Sequence, residues 1–126
     1  MVTEWMKGGN LGSIIDFLCK EGKPLEENDA RKIITQLMKA VSHIHSKGII
    51  HRDIKPDNIL FLNEGSIDHL RLADFGLSTA FGNSLTYVSS KCGTALYMAP
   101  EVFNEKNYSK VDILGCTQNF NLFEKK

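Results

Sequence analysis

Four side chains in this 126-residue chain have the chemistry needed to handle a phosphate group. Asp53, Lys55 and Asn58 lie close together, and Asp74 follows on a separate segment. The carboxylate of Asp74 and the amide oxygen of Asn58 are ligands that suit Mg²⁺. Asp53 could then accept a hydrogen bond from an attacking hydroxyl, and the ammonium of Lys55 could lie beside the transferred phosphate. This combination predicts phosphoryl transfer by positioning and charge neutralisation.

Each of these residues taken alone has an ordinary structural explanation, as a carboxylate in a turn or a solvated charge. Their order along the chain is more specific. Residues 51–58 (HRDIKPDN) are followed by residues 74–76 (DFG) and then by residues 99–101 (APE). Three motifs in this order are improbable by chance, so the joint pattern outweighs the separate explanations.

The three motifs resemble those of a eukaryotic-type protein kinase domain. Lys55 within HRDIKPDN, together with GTALYMAPE at residues 93–101, resembles the serine/threonine branch. The resemblance implies that Asp53 and Lys55 are catalytic, and that Thr94 contacts both and helps to select the acceptor hydroxyl. It also implies transfer of the γ-phosphate of ATP, with Mg²⁺ on the two ligands named above, to serine or threonine hydroxyls of a protein substrate.

The same resemblance implies structural and regulatory roles. Phe75 and Gly76 complete the metal-binding motif, and Glu101 would anchor the end of the activation segment. Arg52, beside the predicted base, indicates a kinase that an activating kinase switches on, because arginine can bind a phosphate in the activation loop. Ser90 is the favoured acceptor of that phosphate by its position, and Ser84, Thr86 and Ser89 are close enough to compete. A flexible serine-rich loop without a regulatory role is the alternative.

Residues 3–11 (TEWMKGGNL) resemble the hinge that holds adenine in protein kinases. By this resemblance the Glu4 carbonyl and the Met6 amide would hydrogen-bond the adenine, and Leu60 would form the floor beneath the ring. Asn10 belongs to the same predicted set of nucleotide-binding residues. A strand followed by a Gly-Gly turn is the simpler alternative for this segment.

Apolar spacing predicts the elements that must position these groups, and the predicted fold class is α+β. It is the mainly helical large-lobe portion of a kinase-like fold, with short β-hairpins. Asn28 is the predicted N-cap of the longer helix, and Lys47 and Gly48 mark its end. The predicted elements are a helix from about residue 11 to Gly22, a helix over about residues 28–47, strands at residues 59–62 and 70–72, and a surface loop at residues 78–91.

Composition excludes several other classes of protein. The chain has 42% hydrophobic residues and no net formal charge, which predicts a soluble globular domain without a nucleic-acid partner. No long apolar run indicates a signal peptide or a membrane span, so no membrane partner is expected. Three widely separated cysteines favour a reducing intracellular compartment, with the cytoplasm as the default location.

The resemblance predicts a partial kinase domain over residues 1–116, without a small lobe before residue 1, and a divergent tail over residues 117–126. Asp112 would brace the catalytic loop from the next helix. The family continues this helix as VDIWSLGC, whereas residues 111–116 read VDILGC, two residues shorter. An incomplete catalytic domain is the first interpretation. The alternative is a catalytically inactive fragment that acts as a protein-interaction module, or the product of an incorrect gene model.

Overall fold

The computed structural model describes residues 3–80 and 93–97. The predicted roles of Ser90, Glu101 and Asp112, and the domain boundary at residue 116, lie outside this part of the chain. The described elements, in order, are α1 (Leu11–Lys20), α2 (Glu27–Ser46), β1 (Ile49–Ile50), β2 (Ile59–Phe61), β3 (Leu70–Leu72) and β4 (Thr79–Ala80). Three 3-10 turns lie at Pro56–Asn58, Phe75–Leu77 and Ala95–Tyr97.

Both predicted helices are present and end close to a glycine. Asn10 caps α1, because its Oδ1 accepts a hydrogen bond of 2.8 Å from the backbone N–H of Ser13. Gly22 follows α1 with φ 64°, and Gly48 follows α2 with φ 71°, the left-handed region that glycine adopts without steric cost. Neither described helix combines the length and apolarity that a membrane crossing requires.

The predicted start of α2 is wrong by one residue, and Asn28 is not its N-cap. The helix begins at Glu27, and the capping residue Glu26 makes no side-chain capping bond. A capping bond contributes only about 1 kcal/mol, whereas the buried face of α2 contributes several side chains to the core. Packing of that face, with Leu25 against the core just before it, therefore outweighs the preference of asparagine for the cap.

The predicted hairpin is confirmed, and a third segment joins it. β2 and β3 are antiparallel, with Ile59 opposite Leu72 and Phe61 opposite Leu70. On the other side of β2, the N–H of Gly8 donates to the Phe61 carbonyl (3.0 Å), and the Phe61 N–H donates to the Gly9 carbonyl (2.9 Å). The segment proposed as an adenine hinge is therefore fastened along β2.

A single apolar cluster holds the hairpin against the two helices. Phe61 and Ile59 point into it, while Leu60 between them faces the opposite side of the strand. This alternation gives β2 one core face and one face toward the site. The buried cluster consists of Leu11, Ile33, Leu37, Val41, Ile54, Ile59, Phe61 and Leu70.

The loop predicted over residues 78–91 begins too early. Thr79 and Ala80 form β4, which pairs antiparallel with β1, so that Ile50 lies opposite Thr79. A two-residue strand has no detectable periodicity, which is why the sequence did not predict either β1 or β4. Their pairing brings the chain that follows residues 74–76 beside the start of the HRDIKPDN segment.

Replacing Gly8 by alanine should destabilise the fold by about 1–3 kcal/mol, the typical cost of overpacking. A Cβ at this position would lie 2.5 Å from the Asn63 carbonyl oxygen and 2.8 Å from that of Phe61. Urea unfolding followed by circular dichroism measures the effect. Lys7→Ala is the matched control, because its exposed side chain leaves the backbone bond to the Leu62 carbonyl intact. Equal stability of the two variants would contradict this prediction.

Candidate active site

The carboxylate of Asp53 is the centre of a dense hydrogen-bond network. Its side chain is only 7% exposed. Oδ1 accepts bonds from the Thr94 N–H (3.0 Å) and from the Thr94 hydroxyl (2.7 Å). Oδ2 accepts a bond from the Asn58 amide nitrogen (3.2 Å) and forms an ion pair with the Lys55 ammonium (3.3 Å). Four donors from three residues therefore converge on one buried carboxylate.

Thr94 links the Asp53 carboxylate to the Lys55 ammonium, a contact that the resemblance implied. Its Oγ1 donates to Asp53 and accepts a 2.9 Å bond from Lys55 Nζ, which closes a three-residue ring of polar contacts. A 3-10 turn holds Thr94 in place, because the Tyr97 N–H donates to the Thr94 carbonyl. Gly93 precedes it with φ 117°, where a side chain would be strained. The roles of these residues in catalysis remain predictions.

The network determines the ionisation of Asp53. Burial alone would raise the pKa of Asp53, but hydrogen bonds from Thr94 and Lys55 and the charge of Lys55 outweigh it and hold the pKa below its ordinary value. The carboxylate is therefore ionised at neutral pH, the state required for accepting a proton.

Replacing Thr94 by valine should raise the pKa of Asp53, because the hydroxyl donor is lost while the burial remains. Since the folded-state pKa is lowered, ionised Asp53 stabilises the fold above its unfolded pKa of about 4. That contribution is lost as the pH falls through the lower folded-state pKa. Carbon-13 titration of the Asp53 carboxyl, with urea unfolding between about pH 2 and 6, measures both effects.

Thr94→Val should therefore lose less stability than the unsubstituted chain on acidification. Thr35→Val is the control, since the one bond of the Thr35 hydroxyl within residues 3–80 and 93–97 is to the Arg31 carbonyl of its own helix. An unchanged Asp53 titration in Thr94→Val would show that Thr94 does not set this ionisation.

Asn58 is oriented so that its amide oxygen is available to a cation. It ends a 3-10 turn and is 7% exposed. Its Nδ2 donates to the Asp53 carbonyl (2.8 Å) as well as to the carboxylate, and within residues 3–80 and 93–97 no donor contacts its Oδ1. A buried amide oxygen without a donor fits a hard cation such as Mg²⁺. The Ala73 N–H donates to the Asn58 carbonyl (2.8 Å), which brings Asp74 beside it.

Asp74 presents an exposed carboxylate at this same end of the hairpin. Its backbone is left-handed, with φ 60°, and its Oδ1 accepts a bond of 3.2 Å from the Gly76 N–H. Such a conformation costs about 1–3 kcal/mol in a residue other than glycine and is concentrated at functional sites. No cluster of three or more His, Cys, Asp or Glu residues occurs in the described part of the chain. The Asn58 amide oxygen and the Asp74 carboxylate are two oxygen donors, and Mg²⁺ commonly takes one or two protein ligands besides phosphate oxygens.

His51 joins the segment that carries Asp53 to the segment that carries Asp74, and it was not among the predicted site residues. It is fully buried, with Nε2 2.8 Å from the Ala73 carbonyl and Nδ1 3.2 Å from the Asp53 nitrogen. Because the Asp53 N–H must donate, Nδ1 accepts and Nε2 carries the proton toward Ala73. Phe75 packs edge-on against the ring at 4.7 Å. His51 is the first residue of the HRDIKPDN segment, and that motif was the signal that could have identified it.

Arg52 also joins two segments of the site. It has φ 70°, and its Nε donates a 2.6 Å bond to the Leu77 carbonyl, at the end of the turn that contains Phe75 and Gly76. The two described non-glycine residues with positive φ, Arg52 and Asp74, therefore flank the site. Its predicted partner, a phosphate on Ser90, lies outside the described residues, so the regulatory pair remains a prediction.

The proposed hinge residues are placed beside β2. The Glu4 carboxylate forms a 3.2 Å ion pair with Arg71 of β3. This ion pair uses the side chain of Glu4 and not its backbone carbonyl. Neither the Glu4 carbonyl nor the Met6 N–H hydrogen-bonds another residue in the described part of the chain. Leu60 is partly exposed on the face of β2 opposite the core. These positions fit an adenine held between the hinge and Leu60.

Asn10 has a structural task that the nucleotide-binding prediction did not include. Its Oδ1 accepts bonds from the Ser13 N–H (2.8 Å) and the Ser13 hydroxyl (3.2 Å) at the start of α1. The side chain is thus engaged in capping, and its contact with a nucleotide remains a prediction.

Comparison with known proteins finds protein kinases that are similar to most of this chain. Serine/threonine-protein kinase cds1 of Schizosaccharomyces pombe is 40% identical over 92% of this chain and 26% of its own length. CBL-interacting protein kinase 24 of Oryza sativa subsp. japonica is 40% identical over 92% of the chain and 24% of its own length. A probable myosin light chain kinase of Dictyostelium discoideum is 44% identical over 87% of the chain and 33% of its own length.

This chain therefore spans about a quarter to a third of these relatives. The sequence model of the protein kinase domain matches residues 1–120, nearly the whole chain. The match includes the network around Asp53 and both predicted metal ligands. The chain belongs to the protein kinase domain family.

Proposed function

We propose that this chain supplies catalytic-loop chemistry for a serine/threonine protein kinase, which transfers the γ-phosphate of ATP to a serine or threonine hydroxyl of a protein substrate. One observation carries the proposal: Thr94, Lys55 and Asn58 all donate to the buried carboxylate of Asp53. Such a network holds a base ionised and oriented before substrate arrives.

Within the network, Oδ2 of Asp53 is the oxygen that can receive a hydroxyl. Its two contacts, at 3.2 and 3.3 Å, are longer than those of Oδ1 at 2.7 and 3.0 Å. Asn58 keeps a second bond to the Asp53 carbonyl, and Lys55 keeps its bond to Thr94. Oδ2 can therefore accept the proton of a substrate hydroxyl while Thr94 continues to orient Oδ1.

The other predicted site residues would bind the metal ion, neutralise charge and bind adenine. Asn58 Oδ1 and the Asp74 carboxylate would hold Mg²⁺, and ATP with Mg²⁺ would supply the transferable phosphoryl group and neutralise its charge. Lys55 Nζ, which lies 2.9 Å from Thr94 Oγ1, would neutralise charge near the acceptor. The Glu4 carbonyl, the Met6 N–H and the face of Leu60 would bind adenine.

The wider context of the site is proposed on the family resemblance. A protein substrate and an activating kinase are the expected partners, with Ser90 and Arg52 as the regulatory pair, and the cytoplasm is the expected location. Phe75 and Gly76 would shape the metal-binding loop. Glu101 and Asp112 would stabilise the activation segment and the catalytic loop.

A thermal melt of the full chain with Mg²⁺ and ATP tests the proposal. At a ligand concentration of about 100 times Kd, binding to the folded state adds about 2.7 kcal/mol and raises Tm. ATP with EDTA should produce a smaller shift, and Asp74→Asn should abolish the difference that Mg²⁺ makes. No shift under any condition would favour the alternative of an inactive interaction fragment.

A further inference from the structure

Gln36, on the face of α2 toward the hairpin, uses both ends of its side-chain amide to hold β3. Its Oε1 accepts a 3.0 Å bond from the Leu70 N–H, and its Nε2 donates a 2.7 Å bond to the Ile67 carbonyl. Nε2 also contacts the Lys32 carbonyl of its own helix at 3.3 Å. The half-buried Gln36 side chain therefore bridges α2 to the start of β3. Regular backbone pairing does not join a helix to a strand in this way.

The bond to Leu70 completes the edge of the sheet. In an antiparallel pair, hydrogen-bonded and non-bonded residue pairs alternate. The Leu62 N–H donates to the His69 carbonyl, so the next pair, Phe61 and Leu70, is non-bonded, and the Leu70 N–H points away from β2. Leu70 is only 7% exposed, and an unpartnered N–H there would carry a desolvation penalty. Gln36 thus supplies the acceptor that none of the described strands provides.

β3 leads directly to a predicted metal ligand. Leu70–Leu72 is followed by Ala73, whose N–H bonds the Asn58 carbonyl, and then by Asp74. The hairpin is pinned to α2 at one end by Gln36 and carries Asn58 and Asp74 at the other end. Leu70 and Asp74 lie on one short continuous segment, so we expect a displacement of Leu70 to move Asp74.

We propose that Gln36 is a positioning residue that sets the placement of β3 and, through it, the placement of Asp74 for cation binding. This inference rests on the proposed function, because it concerns the same cation site. It adds a residue on α2 that contacts neither the nucleotide-binding segment nor the network of Asp53.

Two substitutions separate the two ends of the amide. Gln36→Met keeps the length of the side chain and removes both bonds. Gln36→Glu keeps an oxygen for the Leu70 N–H and loses the donor to the Ile67 carbonyl. Thr35→Ala is the matched control, because it alters the adjacent exposed residue of α2 without touching the hairpin.

The first readout is amide hydrogen exchange at Leu70, and the second is Mn²⁺ binding to the full chain with ATP, measured by electron paramagnetic resonance. In Gln36→Met we expect Leu70 to exchange roughly tenfold faster. Mn²⁺ affinity should fall by about tenfold, the lower end of the range for residues that support metal ligands indirectly. Thr35→Ala should stay within about twofold of the unsubstituted chain. Gln36→Glu retains the acceptor for Leu70 but turns a carboxylate oxygen toward the Ile67 carbonyl, so both of its effects should be smaller than those of Gln36→Met and should change together.

The outcomes are distinguishable. Faster exchange at Leu70 with unchanged Mn²⁺ affinity would make Gln36 a structural residue only and overturn the inference. If Gln36→Met does not fold, Gln36→Glu provides the test. Lower Mn²⁺ affinity in Gln36→Glu, with the Leu70 amide still protected from exchange, would also overturn the inference. Failure of the unsubstituted chain to bind Mn²⁺ with ATP, or equal binding by Asp74→Asn, would overturn the proposed cation site itself and this inference with it.

Discussion

Replacing Asp53 by asparagine should reduce phosphoryl transfer to a protein substrate by about 10²- to 10⁴-fold, the range for loss of a general base. The substitution keeps the shape of the side chain but replaces one carboxylate oxygen with an NH₂ group. That group would face the donors of Thr94 or those of Lys55 and Asn58. Transfer of labelled phosphate from ATP, in a full-length protein that carries this sequence, measures the effect.

Asp68→Asn is the matched control for this experiment. Asp68 is an exposed carboxylate in the β2–β3 connection. Among the residues that the structure describes, it forms only a long 3.8 Å ion pair with Lys32 and a bond to Ser66. Its activity should remain within about twofold of the unsubstituted protein, as expected for a surface change away from the site. Activity of Asp53→Asn within threefold of that control would rule out Asp53 as the base, since about 10²-fold is the minimum expected.

Replacing Phe61 by alanine should destabilise the fold by about 3–5 kcal/mol. Its ring is fully buried at the centre of the core cluster, and its backbone joins β2 to the segment at Gly8 and Gly9. Removing the ring leaves a cavity beneath the strand that carries the proposed hinge. Urea unfolding measures the loss, and a chain of marginal stability would be largely unfolded in water.

Leu60→Ala is the informative comparison, because Leu60 lies next to Phe61 on the opposite face of β2. We expect a smaller loss of stability than in Phe61→Ala, together with weaker ATP binding in the thermal melt. The pair thus separates the core face of the strand from the nucleotide face. Equal destabilisation by both variants, with unchanged ATP binding in Leu60→Ala, would contradict the assignment of the two faces.

The sequence predicted well those features that arise from periodic or local patterns. The apolar repeat of α2 at Ile33, Leu37 and Val41 predicted the helix that packs beneath the site. The two apolar runs around a polar turn predicted β2 and β3. The resemblance implied the contact of Thr94 with Asp53 and Lys55, although about 40 residues separate them along the chain.

The missed features depend on tertiary contacts that leave little local signal. The two-residue strands β1 and β4 exist only because each supplies the partner of the other. Asn28 has the chemistry of an N-cap, but packing at Leu25 and along the core face sets the start of α2. His51 and Gln36 act through backbone atoms of distant segments, and a sequence pattern does not reveal such bonds.

The four contacts on the Asp53 carboxylate also affect which hydroxyl-bearing molecules can bind to its oxygens. Each oxygen already accepts two donors, so a newly arriving hydroxyl must displace one of them. A protein substrate can offset that displacement with binding energy from contacts remote from its hydroxyl, whereas a water molecule has none. If Asp53 acts as the proposed base, its resting contacts would therefore disfavour hydrolysis of the nucleotide by water.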